Sequence, residues 1–215
     1  VLIIGEVWNH AGRWLRGDEL DTVTNYKLRS GLLAFAQGRI DAETFWHRMD
    51  ANKMLYMTPL YPYLIGFAGT HDTVRSATAL GSPALHALAL AAVLTMEGMP
   101  LVYYGDEAGM EGGEDPDNRR AMRWDLTETP LAREIRALMR FRAGSAVLRE
   151  GDTEALDAGP RALAFRRTLG AQSLTVVLNF GTDDAELPGE YREAAFGEAA
   201  MTEKGARVPG MRCAI

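Results

Sequence analysis

Apolar and polar positions alternate in blocks whose period changes near residue 143. The chain opens on Val1-Leu2-Ile3-Ile4, a short apolar run closed by Gly5-Glu6. That pattern predicts a buried strand over Leu2–Glu6 that delivers a carboxylate to its C-terminal end. A polar loop leads to Leu20–Tyr26, read as a second strand. Lys27–Gln37 has helical composition, and Asp41 can cap a further helix with Phe45, Trp46 and Met49 on one side. A turn from Thr58-Pro59 to Pro62 feeds a third strand, Leu64–Phe67. Pro83–Glu97 reads as a buried helix, with proline in its first turn and Gly98 at its end. Pro100–Tyr104 is a fourth strand. After a loop rich in Gly, Asp and Arg, Leu131, Ile135, Leu138 and Phe141 recur every three to four residues and mark an amphipathic helix.

Strands alternating with helices predict βα units on a parallel sheet. Beyond residue 143 the period becomes two. Leu163 and Phe165 alternate with other residues, a Gly170-Ala171 turn follows, and Leu174, Val176, Leu178 and Phe180 alternate again. This predicts an antiparallel hairpin with one buried face. The expected division is therefore an α/β segment over 1–143 and a small antiparallel β domain over 144–215, with no internal repeat or low-complexity stretch.

Composition narrows the function. With 47% hydrophobic and 24% charged residues the chain fits a folded globular protein. A net charge of −6 argues against a nucleic-acid partner, which needs a basic face to neutralise phosphates. The most apolar run, Pro83–Met96, is short for a membrane span and carries His86, so no membrane partner is expected. The single cysteine, Cys213, excludes an internal disulfide and is expected as a small filler in a last strand. His10, His47, His71 and His86 form no helical HxxxH pair, so no metal site is expected. No signal peptide is visible, which suggests a cytoplasmic setting. Opening directly on a strand reads as the interior of a longer protein.

Three segments offer chemistry. Glu6 ends the first strand, and an apolar setting there would favour its neutral, proton-donating form. His71-Asp72 ends the third strand and has two readings. In one, Asp72 and Arg75 make an ion pair that fixes a loop; in the other, His71 donates to a ligand hydroxyl and Asp72 sets a second carboxylate opposite Glu6. Tyr103-Tyr104 and the loop from Gly112 to Arg120 suit sugar recognition, with aromatic faces on pyranose rings and Asp and Arg on hydroxyls. The competing reading is a structural loop closed by salt bridges.

Taken in order, the three segments resemble the α-amylase superfamily (glycoside hydrolase family 13). Gly5-Glu6-Val7-Trp8 is similar to its general-acid motif. Phe67-Ala68-Gly69-Thr70-His71-Asp72 is similar to its F-x-x-N-H-D motif, with Thr70 in place of the commoner Asn. Tyr103-Tyr104-Gly105-Asp106-Glu107 and the Asp115–Arg119 loop resemble the last barrel strand and the loop after it. From Gly66 to Asp72 and from Gly112 to Trp124 the likeness is to the neopullulanase, cyclomaltodextrinase and maltogenic amylase branch.

The resemblance implies a fold: the second half, strands five to eight, of a TIM (β/α)8 barrel, followed by a small antiparallel β-sandwich. It implies roles as well. Glu6 would be the general acid and base, and Asp72 the carboxylate that stabilises the oxocarbenium-like transition state, with His71 beside it. Asp115 and Arg119 would bind a glucosyl unit, and Trp8 would line the leaving-group side. No cofactor is implied; the partner is an α-glucan oligosaccharide or polysaccharide. The family's nucleophile lies in a G-x-R-x-D motif that these residues lack, and Asp21–Tyr26, which imitates an early D-x-V-x-N-H motif, falls after Glu6. The expected function is thus a portion of a retaining α-glucan hydrolase, inactive alone. Glucosyl transfer or isomerisation on the same fold, or a catalytically silent amylase-like binding protein, are the alternatives. Half a barrel would expose strand edges, so self-association into a homo-oligomer is expected.

Overall fold

The computed structural model describes residues 1–57, 59–191 and 193–215. The turn expected from Thr58 starts outside these residues. Four short parallel strands come first: β1 (Ile4–Gly5), β2 (Thr22–Val23), β3 (Ile65–Gly66) and β4 (Met99–Pro100). β1 pairs with β2 in the register Ile4↔Thr22, and β3 with β4 in the register Ile65↔Met99. A parallel bridge from Thr24 to Ile65 joins the two pairs, giving the order β1-β2-β3-β4. The strip does not close on itself: Val1, Leu2, Ile3 and Ile4 are exposed along its first edge.

Each strand is shorter than its apolar run suggested, for local reasons. The run Leu20–Tyr26 ends early because Asn25 caps helix α1 (Tyr26–Ala36), its side chain accepting from Leu28 N at 3.1 Å. Tyr26 therefore starts a helix instead of ending a strand. Pro100 lacks an N–H, and the pairing of the fourth run ends where Leu101 N donates to Gly66 O at 2.8 Å. The run over Leu2–Glu6 has a neighbour on one side only among the described residues.

The helices follow their caps. Asp41 caps α2 (Ala42–Met54) by accepting from Thr44 N at 2.8 Å. After the single turn α3 (Ser76–Leu80), Ser82 caps α4 (Pro83–Thr95), whose residues from Leu88 to Thr95 are all buried. Thr129 caps α5 (Pro130–Gly144), which buries Ile135 and Leu138. No described helix is long and apolar enough to cross a membrane.

A short helix, α6 (Ala146–Glu150), precedes two antiparallel sheets. The first has the order β11-β7-β6-β5, formed by Arg212–Ala214, Gln172–Asn179, Ala162–Leu169 and Asp152–Leu156. The second has the order β8-β10-β9, formed by Ala185–Pro188, Gly205–Val208 and Ala200–Thr202. β6 and β7 make the expected hairpin, with Gly170 at φ +59. The expectation of one buried face is corrected here, because both faces are covered. Leu163, Phe165, Val176 and Leu178 pack on the helices. On the other face the small Ala162 and Ala164, with Val177, let the second sheet approach through Ala185, Leu187 and Val208. Cys213 is a buried thiol in β11, as expected.

The main core runs through the change of period without a break. Phe35, Phe45, Leu90, Ile135 and Leu138 share one cluster with Leu163, Phe165, Val176, Leu178 and Phe180. Phe35 meets Phe180 edge-on at 5.1 Å, and Trp46 meets Phe165 at 5.7 Å. Truncating a buried Phe removes transfer energy and leaves a cavity, at a cost of about 3–5 kcal/mol. Phe35→Ala and Phe165→Ala are thus each expected to shift one and the same unfolding transition in a urea titration. Two separable transitions, each moved by only one variant, would show that the segments unfold independently.

Candidate functional site

The site forms where the chain leaves the parallel strands. Glu6 is the first residue past β1. Its carboxylate Oε1 accepts from the Tyr26 hydroxyl at 2.7 Å. Tyr26, at the first position of α1, is buried; its ring stacks on Trp8 at 4.1 Å and meets Phe67 edge-on at 4.9 Å. Burial, then the Glu6 carboxylate, push the Tyr26 hydroxyl up to about 12, so it keeps its proton and stays a donor to Glu6. The apolar enclosure expected around Glu6 is not found: Glu6 is exposed, and polar groups of Tyr26, His71 and Asp72 stand beside it.

Past β3, the buried Phe67-Ala68-Gly69-Thr70 leads into a tight turn. Thr70 N donates to Thr73 Oγ1 at 3.0 Å, and the Thr70 hydroxyl accepts from Asp72 N at 3.3 Å. Threonine thus serves here as a turn former through its hydroxyl. The turn exposes His71 and Asp72, whose Nε2 and Oδ1 atoms lie 3.4 Å apart. Glu6, His71 and Asp72 each bring one nitrogen or oxygen atom to within 4.8 Å of the others. Among the described residues these three are the group placed closely enough to share a cation, but an Arg119 nitrogen already lies 2.9 Å from Asp72 Oδ1.

Asp115 and Arg119 join the same constellation. Arg119 Nη2 contacts Asp72 Oδ1, and its Nε lies 2.9 Å from Asp115 Oδ1. One guanidinium therefore ties the loop after β3 to the loop after β4. All six residues singled out by the sequence connect: Trp8 through Tyr26 to Glu6, Glu6 beside His71 and Asp72, and Asp72 through Arg119 to Asp115.

Of the two readings of His71-Asp72, the Asp72–Arg75 ion pair is not formed. Arg75 is fully buried and pairs with Asp106, 3.0 Å away, while Asp72 pairs with Arg119. Tyr103 and Tyr104 pack against Arg75, whose guanidinium lies 4.4 and 4.8 Å from their ring centres. Behind them, His86 Nε2 donates to Asp106 O at 2.7 Å, so its Nδ1 accepts from the Ser76 hydroxyl at 3.0 Å; burial lowers its pKa and keeps it neutral. A cavity of about 870 Å³ lies far from these groups, between the two antiparallel sheets beside Thr175, Tyr191 and Val208. The charged constellation, by contrast, stands at an open surface.

The sequence reading missed Tyr26, which it placed at the end of a strand. The signal was Asn25, a strong N-cap residue that makes its successor the first residue of a helix.

The family described as alpha amylase, catalytic domain, matches residues 1–143. The chain belongs to the α-amylase family. Among curated relatives, neopullulanase 2 of Thermoactinomyces vulgaris is 40% identical over 184 residues, covering 83% of this chain and 32% of that protein. A cyclomaltodextrinase of Thermoanaerobacter pseudethanolicus is 37% identical over 182 residues, covering 83% and 32%. The chain thus spans about a third of the length of these relatives. Among solved structures, the debranching enzyme of Nostoc punctiforme, soaked with acarbose, superposes with a TM-score of 0.88 at 27% identity over 99% of this chain and 50% of that one. This α-amylase-family segment therefore carries an α/β fold matching part of the catalytic domain, together with antiparallel sheets.

Asp106 gives the site a testable pH signature. Burial pushes its carboxyl up to about 7 against the pull of Arg75; Glu107 adds to the rise and Arg29 opposes it. A raised carboxyl holds a proton in the folded state that the unfolded chain releases near pH 4. The stability this group allows is then present at low pH and falls as pH rises from about 4 to about 7. Between pH 5 and pH 8 the wild type is expected to lose a few degrees of Tm relative to Asp106→Asn. A Tm difference that moves the other way would show that Arg75 outweighs burial.

Proposed function

We propose that this chain is the second half, strands five to eight, of a (β/α)8 barrel in a longer retaining α-glucan hydrolase. On this reading residues 1–143 belong to the barrel and 144–215 form a small antiparallel domain. The observation that supports it most is the meeting of Glu6, His71 and Asp72 within 4.8 Å at the ends of two parallel strands. The arginine linking Asp72 to Asp115 supports it further. Catalytic groups of such barrels gather at the C-terminal ends of the strands.

The chemistry is double displacement at an α-1,4, or additionally an α-1,6, glucosidic bond. Glu6 protonates the leaving oxygen, then takes a proton from the attacking water. Tyr26 orients Glu6 by donating to one of its oxygens and leaves the other free to face the bond being cleaved. Asp72 and His71 bond the sugar hydroxyls whose interactions strengthen as positive charge develops on the ring. Arg119 and Asp115 hold the glucosyl unit on the non-reducing side, and Trp8 stacks on the leaving-group side. Retaining enzymes need a carboxylate nucleophile about 5–5.5 Å from the acid. No G-x-R-x-D segment stands in these 215 residues, so the nucleophile comes from chain outside them.

The test is reducing-sugar release from γ-cyclodextrin and pullulan. In the full-length protein, Glu6→Gln is expected to cut turnover by about three orders of magnitude or more with little change in Tm. Near-normal turnover in that variant would overturn the assignment. The 215-residue chain alone is expected to be inactive and, with Ile3 and Ile4 along an unpaired edge, to self-associate and bind a hydrophobic dye on a sizing column. A monodisperse monomer that binds no dye would count against the half-barrel.

A further inference from the structure

Behind the exposed charges lies a buried polar hub centred on Asn118. Asn118 is fully buried. Its side-chain Nδ2 donates to the backbone carbonyls of His71 at 2.7 Å and of Thr73 at 2.9 Å. Because both partners are acceptors, the orientation of the amide is fixed. The Asn118 backbone carbonyl in turn accepts from Arg75 Nε at 2.9 Å. Arg75 Nη1 donates to the carbonyl of Tyr104 at 2.8 Å and to Asp106 at 3.0 Å. The loop after β3, with His71-Asp72, and both parts of the loop after β4, with Tyr103-Tyr104 and Asp115–Arg119, are thus bonded to one another below the surface.

Two details mark the hub as more than filler. Asn118 Oδ1 and Arg75 Nη2 find no partner among the described residues, although both are buried. Buried polar atoms left unpaired cost stability, a cost set against the bonds that the same two side chains make to the loop carbonyls. The backbone around Asn118 is also closely packed. A side chain at Gly112 would begin 2.8 Å from both Asn118 Cα and Asp117 O. The Gly113 N–H donates to Asp117 Oδ2 at 2.7 Å, folding the same loop back on itself.

We propose that Asn118 is a positioning residue that sets the Asp72 carboxylate relative to Glu6. This rests on the hydrolase reading above. Asn118 holds the His71–Asp72 turn by its backbone, and its neighbour Arg119 contacts Asp72 by its side chain. Moving Asn118 therefore moves both groups that fix Asp72. Misplacing a reacting or stabilising group by about 1 Å can cost on the order of 100-fold in rate.

The experiment compares kcat and KM on γ-cyclodextrin for the full-length protein and two variants, each corrected for its folded fraction by circular dichroism. Asn118→Asp keeps the shape but turns carboxylate oxygens toward two carbonyls. It is expected to lower kcat by about 10-fold or more and to raise KM at neutral pH. The deficit should narrow on acidification, as the carboxyl takes up a proton and regains one donor. Gly112→Ala leaves every donor in place and displaces Asn118 through its backbone, so it is expected to lower kcat in the same direction without that acid rescue. It also carries the test if Asn118→Asp does not fold. Values of kcat and KM within twofold of wild type in the folded variants would overturn the proposal. If Glu6→Gln abolishes activity while these variants stay normal, positioning alone fails; if activity survives Glu6→Gln, the hydrolase reading fails and this inference with it.

Discussion

The arrangement depends on four strands running parallel. In a parallel pair each chain must cross back before the next strand begins, so every loop that leaves a strand does so on the same side. β1 then delivers Glu6, β3 delivers His71 and Asp72, and β4 leads to Tyr103, Tyr104 and Asp106, all at one rim. An antiparallel arrangement would alternate these ends and put the residues after β4 at the rim opposite those after β1 and β3. The crossovers occupy the opposite face, where α1, α2 and α4 bury their apolar stripes against Ala68 and the antiparallel sheet.

Helix α4 carries that layer into the rest of the molecule. It is apolar nearly all round, which suits an element covered on every side. Its C-terminal carbonyls would be orphaned at such depth, and two arginines satisfy them. Arg142 Nη1 donates to Leu94 O at 2.9 Å and Nη2 to Gly98 O at 2.7 Å, while Arg167 Nη1 donates to Thr95 O at 2.7 Å. Cations at a helix C-terminus also complement its dipole. One arginine comes from α5 and the other from β6, so the polar caps bind the same segments that the apolar core already joins. This explains why the hairpin buries both faces: its inner face is needed by α4, and its outer face by the second sheet.

Much of this was legible in the sequence. Asp41, Pro83 with Gly98, and the Leu131-Ile135-Leu138-Phe141 stripe announced three helices, because caps and helical periodicity are chemistry between residues a turn apart. The hairpin followed from its alternation and its Gly170 turn. Strand lengths were not legible, because Asn25 and Pro100 end the pairing inside apolar runs that continue past them. The partner of Arg75 was hidden for the same reason. Asp72 is three residues away and Asp106 is 31, yet the tight Thr70–Thr73 turn points Asp72 outward and leaves Arg75 to Asp106. The six candidate site residues were named from segments that resemble a family's motifs, each at a strand end or in the loop after one, and the structure brings them together. Tyr26 was not, since a strand and a helix meet at Asn25 and the apolar pattern runs across the junction.

The site combines exposure in front with burial behind. Glu6, His71, Asp72, Asp115 and Arg119 are all exposed, whereas Tyr26, Thr70, Arg75, Asp106 and Asn118, which surround them from below, are all buried. Exposed ion pairs such as Arg119–Asp72 are worth little by themselves, because water screens the charges and the side chains lose freedom on pairing. Alone they hold the carboxylates in register only weakly. The bonds below add to them, since the fully buried Asn118 amide and Arg75 guanidinium donate to the backbone carbonyls of His71, Thr73 and Tyr104. On the proposed hydrolase reading, the front of the site can exchange its ion pairs for bonds to a sugar while its geometry is set from below.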